Sequence, residues 1–240
     1  MPYYYYGFDW TYLVLVLPCM IFAMIASSNV NRTFQRYSTQ YSRRGITGAE
    51  AAQRVLAHNG VSGVRIERVA GNLTDHYDPR TNVIRLSDSV YGSTSTAAIG
   101  VAAHEAGHAV QYARNYAPIK VRAAIIPLTN FGSKIAIPLI LLGILLTALG
   151  GFSTILIDLG IAAFGLSFVF QLITLPVEFN ASRRAIRAIE DAELLTEDER
   201  RGAQKTLKAA AMTYVAAMAV ALAQLLRLIL LYGNNRRRRR

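Results

Sequence analysis

The stretch AAHEAGHAVQ, residues 102–111, decides how this sequence is interpreted. Its two histidines, His104 and His108, stand four positions apart, so on a helix they lie on one face about one turn from each other. Two imidazoles at this spacing can bind one Zn²⁺, and Glu105 beside them can accept a proton from water. Their neighbours are alanine, valine and glycine, and polar groups in so apolar a helix are costly without a partner. The stretch therefore predicts a helix over 94–112 that carries a zinc site, with His104 and His108 as ligands and Glu105 as general base.

A catalytic zinc ion usually has three protein ligands and one open position. The single cysteine, Cys19, rules out a cysteine cluster, and Gln111 and Arg114 occupy the positions where the longer H-E-x-x-H-x-x-G-x-x-H motif has Gly and His. The best third ligand is Glu178, the first charge after the uncharged stretch 159–177. His76 is the alternative, because it lies near a predicted strand that could line a cleft.

Two further sets of residues are weaker candidates for the third ligand. His58 ends a predicted helix, so we expect it to be exposed to solvent. The acids between 190 and 199 belong to a charged run that we expect to be solvated.

The composition predicts a membrane protein. Of the 240 residues, 52% are hydrophobic and 17% are charged, against about 25% charged in ordinary soluble domains. The mean hydropathy is +0.26. This balance argues against a disordered, fibrous or simple soluble chain.

Four uncharged stretches, residues 10–31, 135–157, 159–177 and 209–226, are close to the 20 or so residues that cross a bilayer. The first three qualify on length and composition, whereas the fourth is rich in alanine and is weaker, so we expect three or four transmembrane helices. We interpret the first as a retained anchor, with the aromatic residues of 3–10 at the water–lipid interface.

The basic residues predict the orientation. Regions 32–134 and 178–208 hold 20 of the 26 Lys and Arg residues, and both fall on one side if the N-terminus is outside. The positive-inside rule makes that side the cytoplasm. A fourth crossing would place the terminal run 236–240 outside, so the sequence leaves that crossing open. Without this run the net charge of +11 falls to +6, so nucleic-acid binding is not implied.

The polar region 32–134 predicts a helix followed by a small β unit. Thr47 and Glu50 form a capping box, Gly60 is a plausible stop, and strands are predicted at 64–69 and 83–86. The second strand could pair with an extended substrate as an added strand. A second capping box, Thr196 with Glu199, predicts the start of a helix that runs toward the fourth apolar stretch.

Three segments, residues 73–79 (LTDHYDP), 102–111 and 176–179 (PVEF), resemble the YugP-type membrane zinc metallopeptidases. The resemblance spans roughly residues 10–230 and implies a multi-pass membrane gluzincin with Glu178 as third ligand. The HtpX-type membrane proteases are similar in plan, but Ser182 stands where their E-x-x-x-D pattern has Asp. The aspartate that would orient a zinc-bound histidine is thus missing, and Asn180 or Ser182 is expected to replace it.

We therefore expect an α+β, mostly α, multi-pass membrane protein with a small cytoplasmic zincin-like metalloprotease domain. The predicted segments are an anchor (1–31), the zincin-like domain (32–134), a transmembrane hairpin (135–177), a third-ligand helical segment (178–208), and an apolar helix with a basic tail (209–240). The expected activity is peptide-bond hydrolysis with one zinc ion per chain.

The expected partners are the lipid bilayer and protein or peptide substrates, with membrane proteins among them. His76, Tyr77 and Arg183 are candidates for stabilising the oxyanion. Two other interpretations stay open: a site-2-type intramembrane protease and a non-catalytic membrane scaffold.

Overall fold

A computed structural model of the protein describes residues 9–146 and 150–233. Helices dominate it. A π-helical turn, Tyr12–Val16, leads into α1, and the remaining α-helices follow in chain order: α1 (Leu17–Ser38), α2 (Gly48–His58), α3 (Asp88–Tyr91), α4 (Thr96–Ala113), α5 (Ala117–Leu145), α6 (Gly151–Asp191) and α7 (Glu197–Gly233). The predicted zinc helix is present as α4. Of the predicted interfacial residues, those at 3–8 lie outside the described residues, as does the basic run 236–240.

The sheet has three strands, β1 (Arg65–Val69), β2 (His76–Asp78) and β3 (Val83–Ser87), in the order β1-β3-β2. β3 pairs with β1 in parallel and with β2 in antiparallel orientation. The expectation that 83–86 could accept a substrate strand is therefore wrong, because both edges of β3 are already paired. β2 was not predicted, since three residues are too few to show an alternating pattern, and it forms one edge of the sheet.

Local signals fix the ends of two helices as predicted. Thr47 and Glu50 form the reciprocal capping box of α2, and Gly60 follows with φ +65° in the left-handed region. At the start of α7 the carboxylate of Glu199 accepts hydrogen bonds from the backbone of Thr196 and of Arg43. Glu199 is buried, which corrects the expectation that every acid of 190–199 is solvated.

The chain separates into two compact units. The apolar unit comprises residues 1–25, 122–173 and 215–240, and the polar unit comprises residues 26–121 and 174–214. The core of the polar unit lies where α2 and α4 pack with β3. Its fully buried side chains include Val55, Ile84, Leu86, Ile99 and Ile189.

Within the described residues, four helices are long and apolar enough to cross a membrane, namely Tyr12–Ser38, α5, α6 and α7. The fourth apolar stretch thus belongs to a helix of spanning length. Inside the apolar unit, Asp9 precedes the first of these helices and pairs with Arg227 near the end of α7, whose Nε donates to Asp9 at 2.8 Å. The guanidinium of Arg227 also lies over the ring of Tyr12. The start of the first spanning helix and the end of the last one are therefore held together.

Helix α6 continues without a break through Pro176 to Asp191. The predicted helical segment 178–208 places Glu178 at its first position, and that boundary is wrong, because the residue lies in the interior of α6. Pro176 does not end α6, because the packing of the helix against its neighbours outweighs the loss of the backbone hydrogen bond that a proline removes.

Gly107 sets the distance between α4 and α6. A Cβ atom at this position would lie 2.7 Å from the carbonyl oxygen of Ala181 and 3.4 Å from its Cα. The two backbones can approach this closely because neither residue carries a side chain larger than a methyl group. The crossing brings the face of α4 that carries His104 and His108 against the turn of α6 that carries Glu178.

We predict that Gly107→Ala separates the two helices and weakens the site. The added methyl group meets a backbone oxygen that cannot rotate away, and overpacking of this kind costs about 1–3 kcal/mol. Purified protein should show a lower thermal unfolding temperature and reduced zinc content. Gly92→Ala is the control, because nothing lies within 4 Å of its Cβ position. Unchanged zinc content in Gly107→Ala would contradict this account of the crossing.

Candidate metal centre

Three potential ligands converge between α4 and α6. The Nε2 atoms of His104 and His108 lie 3.3 and 3.5 Å from the same oxygen, Oε2 of Glu178. Within the described residues these three form a group whose ligand atoms lie within 4.8 Å of one another. The structure thus brings together the three ligands predicted from the sequence, although their binding of metal stays a prediction.

The donor set suits zinc. Two imidazole nitrogens and one carboxylate oxygen match the protein ligands of catalytic zinc sites, which leave a fourth position open. Glu178 is only 2% exposed, and a buried carboxylate is costly unless charges or donors surround it. Its contacts with His104 and His108 supply that compensation, and a divalent cation between the three groups would supply more.

Gln111 fixes the orientation of the His108 ring. The Gln111 Nε2 donates to the carbonyl of Val177 at 2.8 Å and to Oδ1 of Asn180 at 3.0 Å. Since both donors are used, the Gln111 carbonyl oxygen must face His108, whose Nδ1 lies 2.9 Å away. Nδ1 of His108 therefore carries a proton and donates it to Gln111. In the neutral ring Nε2 then has a free lone pair directed at Glu178, as a metal ligand requires.

The orientation of Asn180 is fixed in turn by Arg184. The Arg184 Nε donates to Asn180 Oδ1 at 2.7 Å, and its guanidinium lies over the ring of Tyr116. Asn180 therefore acts on the site through Gln111 and not directly on a histidine.

Ser182 performs the corresponding role for His104. Its Oγ lies 3.1 Å from His104 Nδ1, so it can accept the Nδ1 proton while Nε2 faces Glu178. A serine thus contacts the ring nitrogen at the position where the HtpX-type pattern has an aspartate. Of the two substitutes weighed from the sequence, Ser182 makes the direct contact. The role of Gln111 was missed, although its spacing of three residues from His108 placed it on the same helix face.

The electrostatics of the site favour positive charge on His108 in the absence of metal. Burial alone would lower the pKa of His108, but the hydrogen bond with Glu178 and the nearby charge of Glu105 outweigh it and hold that pKa above its ordinary value. A divalent cation at the same place would be favoured by the same negative groups, at the cost of displacing a proton.

Glu105 faces a cavity of about 330 Å³ in the polar unit. His104 and Glu178 line the same cavity, so the predicted base and two predicted ligands share one space. The remaining lining comes from the loop before β2 and from α1, α4, α6 and α7: Ser27, Val30, Asn31, Phe34, Leu73, Asp75, Val101, Ser182, Thr206, Leu207, Ala210, Ala211, Thr213 and Tyr214. Among the described residues, these walls include no Lys or Arg.

Asp75 is a third acid in this cavity, beside Glu105 and Glu178, and sequence reasoning missed it. Its oxygens accept hydrogen bonds from the backbone nitrogen of Ser87 at 2.7 Å and from the Ser87 hydroxyl at 2.9 Å. Burial raises the pKa of Asp75 and the charge of Glu105 adds to that rise, whereas the two bonds from Ser87 oppose it. The sequence feature that could have indicated Asp75 is its position in the LTDHYDP segment. Its place in the cavity, however, depends on strand β2, which directly follows it and was not predicted.

The weaker ligand candidates lie away from the centre. His58 ends α2 at the surface and pairs with Asp191 at 3.6 Å. His76 is exposed on β2, where its Nδ1 donates to the carbonyl of Thr74 at 2.9 Å. Neither belongs to the metal-binding group. Of the oxyanion candidates, none of His76, Tyr77 and Arg183 lines the cavity that contains Glu105.

In the described residues, four helices are long and apolar enough to cross a membrane, and a group of two histidines and one glutamate could hold a metal ion. Both features fit a membrane zinc metallopeptidase. A family model described as "Putative neutral zinc metallopeptidase" matches residues 12–233, and the chain belongs to that family. The chain is also 44% identical over 225 residues to the "Putative membrane protease YugP" of Bacillus subtilis (strain 168), and the aligned residues cover 94% of this chain and 98% of that relative. No solved structure matches it. The resemblance found in the sequence is thereby confirmed.

We predict that Ser182→Ala weakens zinc binding about 10–100-fold, the usual effect of removing a partner of a metal-bound histidine. The methyl group leaves His104 without its Nδ1 partner but removes no ligand. A competition titration with a zinc chelator measures the affinity, and saturating zinc should still give one ion per chain. Ser28→Ala, an exposed position on α1 that does not line the cavity, is the control. Equal affinities in the two variants would show that Ser182 does not orient His104.

Proposed function

We propose that this chain is a membrane-embedded zinc endopeptidase in which His104, His108 and Glu178 bind the metal and Glu105 is the general base. The observation that carries the proposal is the convergence of the two Nε2 atoms on Glu178 beside a cavity that also contains Glu105. Membership of a zinc metallopeptidase family and the likeness to a membrane protease support it.

When bound, zinc supplies Lewis-acid activation of water and of the scissile carbonyl. The protein residues supply the proton transfers and the orientation. Glu105 accepts the proton of the attacking water and then delivers it to the leaving nitrogen. Gln111 and Ser182 hold the two imidazoles so that each presents Nε2 during these steps. Asn31, Thr213 and Tyr214 line the cavity and carry donors for the developing oxyanion.

The substrate is expected to bind as an extended strand beside β2. One edge of β2 is paired to β3, the next strand in the chain, which runs antiparallel to it. Asp75, directly before β2, lines the cavity, so a chain paired to the other edge of β2 would run toward Glu105. Apolar segments of membrane proteins suit cavity walls that α1 and α7 supply.

The two alternative interpretations are less well supported. A site-2-type protease has its H-E-x-x-H motif in a membrane-spanning helix, and α4 is not among the spanning candidates found in the described residues. A structural zinc site in a scaffold is closed by four protein ligands. The group found among the described residues has three.

We predict that Glu105→Gln retains zinc and loses hydrolysis by at least about 10²-fold, because an amide has the same size but cannot act as a base. Zinc content and cleavage of a loosely folded membrane substrate are measured on the same purified sample. His104→Ala is the contrasting variant and should lose both metal and activity. Wild-type cleavage by Glu105→Gln would refute the assigned base.

Glu178→Ala should weaken zinc binding by more than about 100-fold, because it removes one of three ligands and not an outer partner. Glu193→Ala is the matched control, since the side chain of Glu193 is 77% exposed and pairs with Arg44 at the surface. If both variants bind zinc as the wild type does, Glu178 is not a ligand, and His76 becomes the next residue to substitute.

We propose that the polar unit faces the cytoplasm and that all four apolar helices cross the membrane. The basic residues of 32–134 and 178–208 support the first statement. The pairing of Asp9 with Arg227 supports the second, because it places the start of the first spanning helix beside the end of the last.

Cysteine labelling in intact cells tests this topology in a Cys19→Ser background. A cysteine at Arg43, which is exposed in the polar unit, should resist an impermeant reagent until the membrane is opened. A cysteine at Gly151, at the start of α6, should react from outside, because α5 and α6 would form a hairpin. The reverse pattern would invert the orientation.

A further inference from the structure

A groove with three cations lies in the polar unit between α1 and α7. Its volume is about 290 Å³. The charges come from Arg36 on α1 and from Lys205 and Lys208 on α7. The rest of the lining is polar or apolar and uncharged: Asn29, Thr33, Tyr37, Ala209 and Met212.

The sequence spacing shows that the groove uses one face of each helix. On α1, residues 29, 33 and 36 follow one another at intervals of four and three. On α7, residues 205, 208 and 212 follow one another at intervals of three and four. The groove is therefore a seam between two regular helices.

The cations of the groove have no counter-ion in the described part of the chain. Arg36, Lys205 and Lys208 form no ion pair with a described residue, and no carboxylate lines the groove. The guanidinium of Arg36 lies over the neighbouring Tyr37 ring at 5.6 Å, which orients it without neutralising it. Like charges around one small cavity repel one another, and a bound anion relieves that repulsion.

The groove lies at the level where both helices pass from charged to uncharged sequence. On α1, the uncharged stretch 10–31 ends two positions before Thr33 and five before Arg36. On α7, Lys208 is the last charge before the uncharged stretch 209–226. The charged groups therefore stand at the depth of lipid headgroups, while the apolar parts of the same helices continue into the hydrocarbon.

We propose that this groove is a phosphate-binding site and that its ligand is the headgroup phosphate of an anionic phospholipid. Arg36, Lys205 and Lys208 bind the phosphate oxygens, and the amide nitrogen of Asn29, whose Oδ1 accepts from Thr33, donates a hydrogen bond. The acyl chains lie along the helices. The proposal does not depend on the catalytic assignment.

Binding at this seam bears on the catalytic cavity. The same two helices line that cavity with other faces, α1 through Val30 and Phe34 and α7 through Leu207 and Ala210. A phosphate that bridges Arg36 to Lys205 and Lys208 fixes the spacing of α1 and α7, and with it the width of the cavity.

Native mass spectrometry of the full chain in detergent tests the site, with dioleoylphosphatidylglycerol, dioleoylphosphatidylcholine and inorganic phosphate as separate probes. We expect one tightly retained phosphatidylglycerol and a clear preference for it over phosphatidylcholine. The double variant Lys205→Gln/Lys208→Gln should bind phosphatidylglycerol roughly 30-fold more weakly. Both lysines are exposed, so the fold should persist, which circular dichroism verifies.

The matched control is Arg32→Gln/Arg54→Gln, which removes the same charge from exposed positions that do not line the groove. It should retain phosphatidylglycerol like the wild type. Equal losses in the two double variants would overturn the site in favour of general surface charge. Equal binding of both lipids would overturn the charge selectivity, and binding of inorganic phosphate as tight as that of phosphatidylglycerol would overturn the lipid as its source.

Discussion

The carboxylate of Glu178 is the group around which the polar unit is organised. It lies in the interior of α6, almost fully removed from water, and a charge in such a place needs strong partners. The two imidazoles of α4 are those partners, and they can reach it because Gly107 lets the helices approach to backbone contact. Helix packing, burial and the metal-ligand geometry are thus three aspects of one crossing.

A chain of hydrogen bonds at this crossing leads from Arg184 on α6 to His108 on α4. Arg184 fixes Asn180, Asn180 and the Val177 carbonyl fix Gln111, and Gln111 fixes His108. Each partner leaves the next with one way to orient. The ring of His108 is therefore oriented by α6 as well as by its own helix, with Nε2 directed at Glu178.

Much of this site follows from sequence, and the reason is local periodicity. The spacing of His104 and His108 fixes their common face on any helix, and the long uncharged stretches are visible without a fold. Ser182 could be named because it fills a known position in a motif.

What could not be predicted depends on contacts between distant segments. Asp75 enters the cavity only because a three-residue strand pairs with β3, and three residues show no pattern. The position of Glu178 inside α6, and not at a helix start, was missed because packing overrides the local effect of Pro176. The central position of β3 could not be predicted either, because the order of strands depends on how distant segments pair and not on the sequence of one strand.

Helix α4 carries His104, His108 and Gln111 at intervals of four and three residues, all directed at α6. This spacing has an evolutionary consequence. One residue inserted between positions 104 and 111 would rotate the downstream part by about 100° and shift it by about 1.5 Å. Either the two histidines could then no longer both face Glu178, or Gln111 could no longer reach Val177 on α6. Most of α4 is buried, so substitution on it is constrained by packing as well. Insertion or deletion within these eight positions would break the site, and we expect variation in chain length to avoid them.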